Sequence, residues 1–162
     1  MERRDRINYY LDIAEAVSGR STCLRRKFGA ILVKNDEIIS TGYNGAPRGR
    51  ENCCDIGECV RERYAIPRGQ RYELCRSVHA EANAIISASR GQMIGAEIFL
   101  ACYDAKTGEL CGGTEPCAMC KRTILNAGIV RVYVRDTKEE YRVIETSEWI
   151  EKDESLFARD SY

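Results

Sequence analysis

Apolar residues recur at helical spacing near the start of the chain. Ile7, Tyr10, Leu11, Ala14 and Val17 fall on one face of a helix over residues 5–18. The period then shortens. FGAILVK (28–34) and EIISTGY (37–43) are β-rich runs, and Asn35-Asp36 between them reads as a hairpin turn. NGAPRGREN (44–52) is a loop by its Gly, Pro and Asn content. Residues 53–78 are irregular, with a short helix expected near 58–65 and a break at Ile66-Pro67. A second helix is expected from about 79 to 90, stopping near Gly91, then a strand at EIFLACY (97–103) and a loop over 104–115. Pro116 suits a first helical turn, so a third helix is expected over 117–127, ended by Gly128. IVRVYVRD (129–136) reads as a strand, and WIEKDES (149–155) in the charged tail reads as helical. The order α-β-β-α-β-α-β predicts a three-layer α/β domain around a mixed sheet. With no internal repeat and no linker, residues 1–162 read as one domain carrying a cysteine-rich insertion at about 46–77.

Composition narrows the function classes. The 25 basic and 25 acidic residues cancel, so there is no bulk field for a nucleic acid polymer or a membrane, although a local basic pocket is compatible with this balance. No run is apolar enough for a signal peptide or a bilayer span, and the expected location is cytoplasmic. Nine cysteines against one histidine is the unusual feature. An odd number cannot pair completely, and without a secretion signal the spacing suggests metal more than disulfides.

The single histidine lies in CRSVHAEANAI (75–85), where His79 and Glu81 open a helix. Pro116-Cys117-Ala118-Met119-Cys120 opens the next one. Residues three apart in a first helical turn share a face, so Cys117 and Cys120 can bind one ion. With His79 they make three protein ligands, which leaves a fourth tetrahedral position open, as in catalytic zinc sites. The helix N-termini favour ionised thiolates. Glu81 is too close along the chain to be an easy fourth ligand, but can exchange protons with a water activated by the ion. H-x-E followed by P-C-x-x-C is the signature of zinc nucleobase deaminases. A CxxC alone also serves redox and structural zinc sites, and a lone HxE is weaker still; together they are specific. The competing reading is a non-catalytic zinc-binding module. Glu81 argues against it, since a structural site needs no carboxylate beside its ligands.

FGAILVKNDEIISTGYNGAPRG, SVHAEANAI and PCAMCKRTILNAGI resemble the cytidine deaminase-like superfamily over about residues 5–135, and GYNGAPRG resembles its deoxycytidylate (dCMP) deaminase branch. The resemblance implies a five-stranded mixed sheet with helices on both sides, one catalytic zinc, and hydrolytic deamination of dCMP to dUMP with Glu81 as general acid/base. It implies that the Ala80 backbone lies near the base and that Asn44 contacts the sugar; the alternative for Asn44 is a left-handed turn residue beside Gly45. It also implies a homo-oligomer, hexameric in the family, and a dCTP/dTTP effector site, which falls on Gly42, Tyr43, Gly45, Pro47 and Arg48 together with Asn44. Some relatives carry a second, structural zinc. Here it would be all-thiolate, from Cys23, Cys53, Cys59 and Cys75, with Cys54 as the alternate to Cys53. Substrate phosphate is expected on one or two of Arg48, Arg50, Arg68, Arg71 and Arg76. Cys102 reads as core, and Cys111 as a free thiol or part of a local site. The stretch YDAKTGELCGGTEPC is longer than the usual family connection, so another cytosine nucleotide or nucleoside stays open as substrate; adenosine in tRNA is disfavoured by the charge balance.

Overall fold

The computed structural model describes residues 1–153. Its centre is a five-stranded sheet of β1 (Arg26–Lys34), β2 (Glu37–Tyr43), β3 (Glu97–Asp104), β4 (Arg131–Arg135) and β5 (Tyr141–Glu145) in the order β2-β1-β3-β4-β5. β3 and β4 are parallel, and the other pairs are antiparallel. Alternation along the central strands sorts the core into two layers. Ile31, Val33, Phe99 and Tyr133 meet Tyr10, Leu11 and Ala14 of α1 (Arg6–Ser18). Ala30, Leu32, Ile98 and Leu100 meet Ala80 and Ala84 of α4 (Ala80–Ile86) and Ile124 of α6 (Ala118–Ala127) on the other face. The expected three-layer fold is present.

Local chemistry explains the element ends. Asp5 caps α1 by accepting from Asn8 N at 3.0 Å. Asn35 and Asp36 both take positive φ (51° and 62°), as the tight hairpin between β1 and β2 requires. Gly128, at φ 82°, ends α6.

Four expectations change. The helix expected to run from 79 to about 90 stops at Ile86, and Gly91 lies inside a separate turn, α5 (Arg90–Met93). The cause is Ser89, whose hydroxyl accepts from Gln92 N while Gln92 Oε1 accepts from Ser89 N, a capping box that restarts the helix. Pro116 lies before the N-cap, Cys117, and not in the first turn. The insertion holds the short helix expected near 58–65, as α3 (Val60–Arg63), but adds two unexpected turns, α2 (Cys53–Ile56) and a 3-10 turn at Tyr72–Leu74. Finally, β5 lies in a tail whose pattern suggested no strand. It is a five-residue edge strand with Val143 exposed, so pairing with β4 makes it, not periodicity. The tail helix α7 spans Ser147–Glu151. Of the expected helical run 149–155, Glu154 and Ser155 lie outside the described residues.

Candidate metal and substrate site

The carboxyl ends of β2 and β3 lie at the same end of the sheet, because both run antiparallel to β1. Each leads toward a helix on the same face. β2 reaches α4 through the insertion, and β3 reaches α6 through the 105–117 connection. The two helix starts therefore converge where open α/β sheets place their ligands.

His79 is the N-cap of α4 and Cys117 the N-cap of α6, with Cys120 one turn further on. His79 Nδ1 lies 3.5 Å from Cys117 Sγ and 3.4 Å from Cys120 Sγ. Among the described residues these three form the one group of three or more His, Cys, Asp or Glu side chains whose ligand atoms all lie within 4.8 Å of one another. Tetrahedral zinc, with bonds of about 2.3 Å to sulfur and about 2.05 Å to nitrogen, requires an N···S separation of about 3.6 Å. The donor set and its spacing fit that ion.

The approach of α4 depends on two glycines of the GYNG segment. A Cβ on Gly42 would overlap the backbone of Ala80 and Ala84, so only glycine lets α4 lie this close to β2. Gly45 exchanges backbone hydrogen bonds with Val78, the residue before His79, at 3.2 and 2.7 Å. Asn83 Nδ2 donates to Tyr43 O at 2.7 Å and Ser40 Oγ to Ala84 O at 2.7 Å. The segment thus fixes the position of the metal histidine, whatever else it binds.

Glu81 is 5% exposed and is hydrogen-bonded to the Cys120 thiol. Burial pushes its carboxyl above the usual range, against the opposing charge of His79. Cys117 is driven toward thiolate by the hydrogen bond from Cys120, with His79 adding to it and burial opposing. Burial works against a charge on His79, but its hydrogen bonds to Cys117 and Cys75 and the charge of Glu81 outweigh it and raise its pKa to about 11. A metal ion displaces that proton when it binds.

These groups open into a cavity of ≈ 690 Å³. Ala80 lines it, and so does Asn44, whose side chain is largely committed to the fold. Asn44 Oδ1 accepts from Ser21 Oγ at 2.5 Å and Phe28 N at 2.8 Å, and Nδ2 donates to Arg26 O at 2.8 Å. Its φ is not positive, so the left-handed turn reading is wrong; these three bonds hold it in place instead. Of the five arginines considered for phosphate, Arg68 alone lines the cavity. Arg48 and Arg50 are exposed away from it, Arg71 pairs with Glu73, and Arg76 donates to Glu51 O at 2.7 Å. Arg26 and Lys106 also line it, from the start of β1 and the β3–α6 connection. Sequence reasoning missed both, since only the fold brings these segments to the insertion. It also missed Tyr72, whose ring meets His79 edge-on.

Burial pushes the Cys53 thiol up, and the neighbouring Cys23, Cys75 and Cys59 add to the shift, so the four cysteines are neighbours, but no three of their sulfurs all lie within 4.8 Å of one another. Cys54 points outward, its Sγ 3.8 Å from Asp55 Oδ1. Cys102 is buried in β3, as expected. Cys111 lies across from it, its N donating to Cys102 O at 2.9 Å, and both are free thiols.

Residues 4–136 match the model of the cytidine and deoxycytidylate deaminase zinc-binding region. The deoxycytidylate deaminase of Mycobacterium phage D29 is 38% identical over 82% of this chain and 95% of its own length. That of Schizosaccharomyces pombe is 35% identical over 77% of this chain, which spans only 35% of that longer protein. The dCMP deaminase of cyanophage S-TIM5, solved with dCMP and dUMP, superposes with a TM-score of 0.55 at 28% identity, covering 83% of this chain and 84% of that one. With the ligand triad, the buried glutamate and the sheet order already in place, the chain belongs to the cytidine and deoxycytidylate deaminase zinc-binding family.

Proposed function

We propose that this protein hydrolyses dCMP to dUMP and ammonia. The observation that carries the reading is a buried Glu81 beside the His79, Cys117 and Cys120 triad, in a cavity edged by cations. His79, Cys117 and Cys120 hold zinc, which when bound acts as a Lewis acid that brings the pKa of a water toward about 7. Glu81 accepts a proton from the attacking water and delivers it to the ring N3. Oxygen bonds to C4 as N3 is protonated; Glu81 then takes the remaining proton from the oxygen at C4 and passes it to the amino nitrogen, and the C4–N bond breaks to release ammonia and leave a C4 carbonyl. Burial, which raises its pKa, suits a group that must both take and give protons. The Ala80 backbone lies along the base. The uncommitted Nδ2 hydrogen of Asn44 serves the sugar.

Phosphate recognition falls to Arg68, Lys106 and Arg26. Arg68 and Lys106 have no ion-pair partner among the described residues, whereas Arg25 and Lys121 pair with Glu62 and Glu115 and Arg61 donates to the carbonyls of Pro67 and Gln70. The test is ammonia release from dCMP, CMP, deoxycytidine, dCTP and methylated dCMP. The expected result is strong preference for dCMP over deoxycytidine, reduced at least tenfold in Arg68→Ala, on the order of one lost charge-assisted hydrogen bond. Equal turnover of dCMP and deoxycytidine defeats the phosphate assignment.

Cys23, Cys53, Cys59 and Cys75 form a second, structural zinc site in this reading. It is supported by their shared neighbourhood and by Arg25 N donating to Cys23 Sγ at 3.4 Å. The same family reading carries a cytoplasmic homo-oligomer regulated by dCTP and dTTP through Gly42, Tyr43, Gly45, Pro47 and Arg48. Association is favoured by exposed apolar side chains such as Ile86 and Ile150, and Arg48 is exposed for an anionic effector.

A further inference from the structure

The insertion does more than border the cavity. Arg61, on α3, is 5% exposed, which is costly for a guanidinium unless it is paired. Its Nη2 donates to Pro67 O at 2.8 Å and Gln70 O at 2.7 Å, so one buried cation ties the segment before Tyr72 to α3. The guanidinium carbon then sits 4.5 Å from the centroid of the Tyr72 ring, a cation–π distance. The Tyr72 ring meets the His79 imidazole edge-on, with centroids 5.2 Å apart and planes at 84°. The Cys75 thiol reaches the same imidazole from the insertion. A histidine at an N-cap has no helical neighbours in front of it to fix its ring, and here the insertion supplies them.

We propose that Arg61 and Tyr72 are positioning residues for the metal histidine: Arg61 fixes the Tyr72 ring, and Tyr72 fixes the rotation of the His79 imidazole so that Nδ1 faces Cys117 and Cys120. This rests on the reading of His79 as a zinc ligand. Groups around metal-bound histidines are worth about 10–100-fold in metal affinity, through orientation of the ligand. A rotated imidazole would take Nδ1 out of reach of an ion held by the two sulfurs. The contact is made by the ring face and edge, so the Tyr72 hydroxyl is dispensable for it.

The experiment is chelator competition for zinc on the full chain, following the class of zinc that His79→Ala removes, with the cobalt(II) absorption of that site as a second readout. Tyr72→Ala is expected to weaken that class about tenfold or more and to change the cobalt spectrum. Tyr72→Phe is expected to stay within about twofold of wild type, and Arg61→Lys, which keeps the charge but loses the guanidinium over the ring, to share the Tyr72→Ala deficit. Thermal unfolding of each variant identifies any loss that comes from the fold, and the half-buried position of Tyr72 makes Tyr72→Leu a filler that keeps the insertion packed. Unchanged zinc affinity and cobalt spectrum in Tyr72→Ala and Tyr72→Leu overturn the proposal while leaving the ligand reading intact. Unchanged zinc affinity in His79→Ala overturns the ligand reading itself.

Discussion

Glu81 shows how one side chain can be decided by its surroundings. An exposed glutamate is a solvated anion at neutral pH. Here burial raises its pKa, while His79 and the Cys120 thiol keep it beside the triad. Glu81→Gln preserves the shape and removes the proton exchange. That variant is expected to keep its zinc content and to lose about 10²–10⁴-fold in turnover, as measured by ammonia release and metal analysis on one preparation. Near-normal turnover would refute the role. At this scale the sequence was highly legible. His79, Glu81, Cys117 and Cys120 were marked by spacing alone, because residues opening a helix have few ways to point. Asn44 was less so, since its three hydrogen bonds involve Ser21, Arg26 and Phe28, remote in sequence.

Among the elements, α4 and α6 present their first turns to one another only because β2 and β3 end at the same sheet edge. Gly42 sets how closely α4 packs, and the insertion sets what faces His79. The insertion has short helices and few buried apolar residues, so it needs another source of order. If the four cysteines supply it through zinc, metal analysis is expected to give two zincs per chain, and Cys23→Ser/Cys59→Ser is expected to give one. One zinc in wild type, unchanged in the double variant, would remove the second site. The insertion's shape was not readable from its pattern, which lacks a hydrophobic period. Its local turns depend on Arg61, buried by contacts with carbonyls up to nine positions away.

Across the whole molecule, α1 is fastened to β4 by a charge network beneath the sheet. Arg135 is fully buried and donates to Asp12 Oδ1 at 2.6 Å, Glu15 Oε1 at 2.5 Å and Asn8 Oδ1 at 2.8 Å. Tyr103 OH donates to Glu15 Oε2 at 2.6 Å, and Lys138 pairs with the same carboxylate. Burial alone would raise the Glu15 pKa, but the hydrogen bonds from Lys138, Tyr103 and Arg135 lower it below its ordinary value of 4.5. A carboxylate with a depressed folded pKa stabilises the fold above its unfolded pKa, and that stability is lost as pH falls through the folded value. The melting temperature is therefore expected to fall as pH drops below about 4.5, and Glu15→Gln is expected to flatten that part of the curve. Arg135→Ala, which removes the buried cation while Glu15 keeps Lys138 and Tyr103 and Asp12 keeps Arg4, is expected to cost about 2–3 kcal/mol in denaturant unfolding at neutral pH. A pH-independent melting temperature between pH 5 and 3 would show that this network contributes little.

By itself the sequence determined what is local. Alternation and helical spacing set the central strands and the start of each major helix, and the HAE and PCAMC segments set the ligand chemistry, because side-chain direction within one turn follows from backbone geometry. Tertiary structure decided what depends on contact between distant segments. It gathered Arg26, Arg68 and Lys106 from three segments around one cavity, brought His79 to Cys117 and Cys120, and tied α1 to β4 through Arg135. Each of those outcomes is fixed by a partner far along the chain, and a local pattern carries no information about which partner will arrive.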